Sequence, residues 1–223
     1  MVEPIPITDP ERVRARLADI REQVTDAAGQ AGTAPGAVEI LAATKYVRSE
    51  DLPTLAAAGV KLVGENRASD LAARAETYGG LFAWDFIGTL QSRRVRTILP
   101  HVRLIHSVAS TSALRELERH RALAHPELAI LIEVNIAREP GKSGIAPEEL
   151  DAHLERAPVP VVGLMCMPPL ASDPEQSRRW FAATRELASA RGLSRLSMGT
   201  SQDYLVAVQE GATIVRIGTS LYS

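Results

Sequence analysis

Short apolar runs alternate with longer amphipathic stretches along the whole chain. Val13, Leu17, Ile20 and Val24 recur at helical spacing, and Asp9-Pro10 supplies a cap and a first turn, so a helix is expected over 9–31. Apolar, partly β-branched runs follow at 38–43, 61–63, 83–87, 103–106, 128–135, 160–164, 193–197 and 213–217. The run at 128–135 is the longest. Helical stretches separate them at 49–58, 65–78, 90–99, 111–123, 147–156, 174–190 and 201–210, the last with Ser201 as its expected N-cap. The final run has no helix after it, because the chain soon stops.

Eight strand-like runs, joined through helices by short connections, predict α/β architecture. The expected fold is a single (β/α)8 TIM barrel over 1–223 with an extra N-terminal helix. The alternative is an open doubly wound sheet. That fold would place a glycine-rich turn after the first strand, and LAATKYV at 41–47 contains no glycine.

Composition agrees with this reading. Hydrophobic residues make up 45% of the 223 and aromatics only 4%, so aliphatic side chains must build the core. Lysine and arginine total 25 against 27 acidic residues, a balance that gives no footprint for nucleic acid. The longest uncharged stretch, 157–172, is too short and too rich in proline for a membrane helix. No basic-then-apolar leader opens the chain, and Cys166 has no cysteine partner, so a cytoplasmic protein is expected. The five histidines show no metal-ligand spacing, and no metal is expected.

The chemistry concentrates at strand ends. Lys45 follows the first strand, at the barrel end that carries active sites. A lysine buried there would shed its charge more readily, and a neutral amine attacks aldehydes. Taken alone, Lys45 reads better as a surface lysine just past a strand, and the functional reading depends on what the other strand ends carry. The last two strands end in LSMGTSQDY (196–204) and VRIGTSL (215–221), rich in Ser, Thr and Gly, where such barrels bind phosphate. Ordinary capping is the competing explanation. Arg216 alternates with Val215 and Ile217 and should point into the barrel, toward a ligand or toward an acid such as Glu133. GKSG at 141–144 lacks the glycine that a phosphate-binding P-loop needs at Ile136. It reads as a surface loop whose Lys142 is available to an anion. Arg93, Arg94 and Arg96 read as a solvated helix face. His106 reads as a satisfied structural histidine.

Together these segments, with VGENR (63–67), WDFIGTLQS (84–92), IHSVAS (105–110), VNIAREPGKSGI (134–145) and GLMCMPP (163–169), resemble the YggS-like pyridoxal phosphate homeostasis family. That family is related to the N-terminal barrel of alanine racemases, and the resemblance runs from about Val38 to Leu221. It implies that the chain binds pyridoxal 5′-phosphate (PLP) as an imine on Lys45. It implies that Arg216 faces the pyridine nitrogen, and that Ser197, Ser201, Gly218 and Thr219 lie on the phosphate side, with either serine as the direct contact. Asn66, Ser107, Asn135 and Met165 match positions lining the cofactor. Thr89 stands where the family often has histidine, Arg93-Arg94 where it has Asn-Lys, and Thr200 where methionine is usual.

PLP chemistry commonly uses a protonated pyridine nitrogen as an electron sink, and an arginine beside that nitrogen disfavours the proton. Racemisation needs proton-transfer groups on both faces of the substrate. In alanine racemases the second group is a tyrosine from another domain, which a chain ending at Ser223 is not expected to carry. Tyr46, Tyr78, Tyr204 and Tyr222 are not evidently placed for that role. The expected function is therefore PLP carriage and homeostasis, with apo PLP-dependent enzymes as possible partners, no catalytic residue and a monomeric state. A weak amino-acid racemase and a PLP-free Schiff-base aldolase are the alternatives.

Overall fold

The computed structural model describes residues 5–7, 9–34 and 36–222, so both ends of the expected 1–223 unit lie outside the described residues. Its eight strands are all parallel and close in sequence order, each pairing with the next and β8 with β1. They are β1 (Glu39–Ala43), β2 (Leu62–Glu65), β3 (Ala83–Phe86), β4 (Leu104–Val108), β5 (Ala129–Glu133), β6 (Val161–Met165), β7 (Arg195–Thr200) and β8 (Ile214–Ile217). The helices are α1 (Pro10–Gln30), α2 (Leu52–Ala57), α3 (Ala68–Tyr78), α4 (Val95–Ile98), α5 (Thr111–Arg119), α6 (Leu150–Glu155), α7 (Arg178–Ser189), α8 (Tyr204–Gln209) and α9 (Thr219–Tyr222). The expected TIM barrel with an additional N-terminal helix is the fold observed. None of the described helices is long and apolar enough to cross a membrane.

Local chemistry explains the first helix. The Asp9 carboxylate accepts from the Glu11 and Arg12 amides, Pro10 fills the first turn, and Val13, Leu17, Ile20 and Val24 are all buried. Elsewhere tertiary structure moved the boundaries. The run at 128–135 stops at Glu133, and β7, with six residues, is the longest strand. Glu65, expected to open a helix, ends β2 and is fully buried. The 201–210 helix starts only at Tyr204, so Ser201 is not its cap. β8 is followed by a single helical turn, α9.

Two cores follow from strand alternation. Between sheet and helices pack residues such as Val63, Phe86, Ile105, Ile130, Phe181, Val215 and Ile217. Inside the barrel sit Leu41, Leu62, Leu104, Leu131, Met165 and Ile214. The inward series also carries polar groups: Asp85, His106, Ser197 and Arg216 are all buried. At the end where the strands begin, Arg103 pairs with both Glu39 and Asp85, and Arg195 also reaches Glu39. One position has no room for a side chain. A Cβ on Gly163 of β6 would lie 1.7 Å from the Arg195 carbonyl oxygen of β7. Gly163→Ala should therefore force these strands apart and cost about 3 kcal/mol of stability, read as a lower urea midpoint at unchanged slope. An unchanged midpoint would show that the barrel wall relaxes freely there.

Candidate functional site

The strands deliver their last inward residues to a cavity of about 690 Å³ at the C-terminal end of the barrel. Eight of the ten residues expected around the cofactor line it: Lys45, Asn66, Ser107, Met165, Ser201, Arg216, Gly218 and Thr219. Lys45 lies two residues past the end of β1, in a turn closed by the Val47 amide on the Thr44 carbonyl at 2.9 Å. Its ammonium sits 4.7 Å from the centre of the Tyr46 ring. Contrary to the premise of a buried lysine, Lys45 is exposed, because the turn carries it past the strand end into the open mouth.

The remaining two lie elsewhere. Asn135 stands beyond the end of β5, and its amide group is tied to the Glu139 backbone through two hydrogen bonds of 2.9 and 3.0 Å. Ser197 is buried within β7, because that strand continues to Thr200 and carries the mouth three residues further along the chain. Ser201, the other candidate for phosphate, faces the cavity. Its oxygen accepts from the Gly218 amide at 3.1 Å and from the Ser220 hydroxyl at 3.0 Å, which leaves its own proton to donate. Gly218 has no side chain to intrude. A Cβ there would stand in the cavity, 4.0 Å from both the Ala43 Cβ and the Ser201 hydroxyl oxygen.

Arg216 behaves as alternation required. It points inward while Val215 and Ile217 join the outer core, and only 6% of it is exposed. Its guanidinium donates to the Ser197 carbonyl at 2.7 Å, the Ser197 hydroxyl at 2.5 Å and the Cys166 carbonyl at 3.1 Å, with Met167 Sδ at 2.9 Å. These acceptors, and not the suspected ion pair with Glu133, hold it among the described residues. Burial pushes its pKa down, yet a guanidinium remains a cation.

Below Arg216 the polar chain continues. His106 Nδ1 lies 2.8 Å from the Ser197 hydroxyl, and Nε2 lies 3.0 Å from Asp85. Burial pushes the imidazole's pKa down, so the ring is neutral. A carboxylate can only accept, so Nε2 carries the proton and Nδ1 accepts from Ser197. The bonds therefore run in one direction, from Arg216 through Ser197 and His106 to Asp85, whose other partner is Arg103. This is the satisfied structural histidine expected from the sequence.

Several cavity residues were not foreseen as lining. Glu133 ends β5 on the inward side and accepts from the Ser143 hydroxyl at 2.9 Å. Burial pushes its carboxyl pKa up, against the pull of Ser143, Arg216 and Lys142. The parity with Leu131 was the available signal. Tyr46, Arg67 and Thr200 also line the cavity, and Tyr46 stands beside Lys45, not across from it. Lys142 bridges two loops, reaching the Pro168 carbonyl at 2.8 Å and Glu139 at 3.1 Å. Arg93, Arg94 and Arg96 are exposed. No group of three or more metal-ligating side chains occurs among the described residues. With Lys45, Arg67 and Arg216 against Glu133 alone, the cavity is electropositive.

A family model described as the alanine racemase N-terminal domain matches residues 18–223. The chain belongs to this family. A pyridoxal phosphate homeostasis protein of Aquifex aeolicus is 36% identical over 93% of this chain and 96% of its own length. The protein of the same name from Pseudomonas aeruginosa is 35% identical over 94% of each. Among solved structures, PipY of Synechococcus elongatus with PLP bound superposes with a TM-score of 0.79 at 29% identity, covering 95% of this chain and all of that one. An alanine racemase from Bartonella henselae, 13% identical with a TM-score of 0.73, shares the fold.

The neutral, buried His106 has a measurable consequence. Its folded-state pKa lies below the ordinary value of about 6.5, so the unfolded chain takes up the proton first as pH falls. Its contribution to stability is complete above that pH and is lost below it, by up to about 1.4 kcal/mol per pH unit. Thermal unfolding of wild type between pH 7.5 and 5.5 should fall more steeply than that of His106→Gln. Parallel curves would mean that His106 has the same pKa in the folded and unfolded chain, and a shallower fall in wild type that it is protonated in the folded barrel.

Proposed function

We propose that this protein binds PLP in the cavity at the C-terminal end of the barrel and takes part in PLP homeostasis. The observation that carries the reading is the convergence of three unlike groups on one space: the Lys45 amine, the Arg216 guanidinium and the Ser201–Gly218–Thr219 cluster. The ligand has three matching groups: an aldehyde, a pyridine nitrogen and a phosphate. The cavity is large enough for it, is electropositive, and is free of a side chain at Gly218 where the phosphate would rest. Relatives named pyridoxal phosphate homeostasis proteins and the PLP-bound PipY structure support the same assignment.

Lys45 would hold the ligand through a C=N bond at Nζ, the aldehyde oxygen leaving as water with both amine protons. Ser201, offering its hydroxyl proton beside the Gly218 and Thr219 turn, would take the phosphate in preference to Ser197. Arg216, fixed as a cation, would meet the pyridine nitrogen as a donor and keep it unprotonated. A site so arranged stores the aldehyde and leaves it a poor electron sink. The exposed position of Lys45 keeps the bond open to water and to competing amines. We read this as a reversible carrier, cytoplasmic, that supplies PLP to apo-enzymes.

Absorbance spectra test the assignment directly. The PLP-loaded wild type should show a visible imine band that Lys45→Ala lacks. Ser201→Ala should keep the band and bind PLP about 10- to 100-fold more weakly, the size of a lost hydrogen bond to a charged group. A wild type that stays colourless with added PLP, but is fixed by borohydride to a sugar phosphate, would favour the aldolase. Transfer to an apo-enzyme no faster than spontaneous release would remove the carrier role, and interconversion of single amino-acid enantiomers would favour a racemase.

A further inference from the structure

The turn that bears Lys45 is held by a residue outside the cavity. Arg74 projects from α3, and its guanidinium is largely buried. It makes four hydrogen bonds. One goes to Glu65 at the end of β2, at 2.5 Å. The other three go to the Lys45 segment: to the Thr44 carbonyl at 3.1 Å, the Val47 carbonyl at 2.6 Å and the Ser49 hydroxyl at 3.2 Å. The two carbonyls bracket Lys45 and Tyr46 from either side. The Thr44 hydroxyl also donates to Glu65, so the acid, the arginine and the turn form one unit.

A surface ion pair would need only Arg74 and Glu65. The fork instead spans the six residues 44–49, a geometry that a guanidinium can make and an ammonium cannot. The neighbouring carbonyls are also engaged, Ala43 by the Tyr222 hydroxyl at 3.2 Å and Tyr46 by the Ile5 amide at 2.7 Å. The backbone under Lys45 is thus fixed, while its side chain is exposed. An amine anchored this way loses less freedom when it forms a bond.

We propose that Arg74 is a positioning residue that fixes the Lys45 turn and thereby strengthens the bond between Lys45 and an aldehyde ligand. This inference rests on the PLP reading above. It predicts a selective defect. Pyridoxine 5′-phosphate carries an alcohol in place of the aldehyde, so it tests the same cavity without the Lys45 bond. Arg74→Lys keeps a cation beside Glu65 and loses the fork. The variant should bind PLP about tenfold more weakly than wild type and pyridoxine 5′-phosphate equally well. In the ligand-free protein, hydrogen exchange at the Tyr46 and Val47 amides should rise, with the β5 and β6 amides unchanged. Ser49→Ala, which loosens only one end of the fork, should show the same selectivity at about two- to threefold. It serves as the test if Arg74→Lys does not fold.

Equal weakening of both ligands would mark Arg74 as a general structural residue and overturn the proposal, as would retained PLP affinity in both variants. A wild type that binds the aldehyde no better than the alcohol would instead bring down the PLP reading, and this inference with it.

Discussion

A cation placed inside a barrel must be met by acceptors along its whole reach, and Arg216 sets that demand here. Water is excluded, so every N–H left unpaired would cost on the order of a few kcal/mol. A carboxylate would be the obvious partner, and Glu133 is near enough to act on Arg216 electrostatically. The guanidinium is instead held by carbonyls, a hydroxyl and a thioether, and its charge is passed down through neutral groups. Ser197, His106 and Asp85 each accept from above and occupy inward positions on three different strands. The chain ends on Arg103 and Glu39, where the barrel meets solvent. A direct Glu133 ion pair would have neutralised the cation. This arrangement leaves it free to act on a ligand.

The neighbouring strand, β1, works by a different division. Around Lys45 the backbone is fixed by hydrogen bonds from α3, the N-terminal segment and α9, while the side chain stands in the open mouth. On the Arg216 side it is the side chain that is immobile. One wall therefore offers a fixed electrostatic surface and the other a reactive group on a rigid base. Both depend on the barrel's closure, since β1 and β8 are neighbours and bring Lys45 and Arg216 to one rim.

Much of this was legible in the sequence where strand periodicity decides the outcome. The orientation of Arg216 followed from Val215 and Ile217 alone, and the barrel followed from the repeated alternation of apolar run and amphipathic stretch. Strand length was not legible. β7 runs on to Thr200 because its mouth-end pairing with β8 sets Thr200 beside Arg216, and that contact is invisible along the chain. The consequence fell on Ser197, which sits inside the barrel and not at its rim. Asn135 lies off the cavity for the opposite reason: the apolar run continues past Glu133, but the strand does not, and the asparagine caps a turn of its own. The resemblance to a known family carried Lys45 and the phosphate-side residues further than periodicity could. It did not distinguish Ser197 from Ser201, and the strand boundary buries the first and sets the second on the cavity.

The same boundary bears on how such a site could hold a ligand without keeping it. Ser201, Gly218 and Thr219, the residues proposed to meet the phosphate, line the cavity at the rim, outside the buried chain that fixes Arg216. Affinity at the rim and electrostatic control at the floor are therefore built from separate residues. A change at Ser201 alters how tightly the ligand sits and leaves the chain from Arg216 to Asp85 intact, whereas a change at His106 leaves the rim intact and disturbs the floor. In a carrier this separation has a physical use. Under the proposed reading, retention would be tuned through the rim and through Lys45, with the cation at Arg216 held constant, so that a stored aldehyde would stay unreactive whatever its residence time.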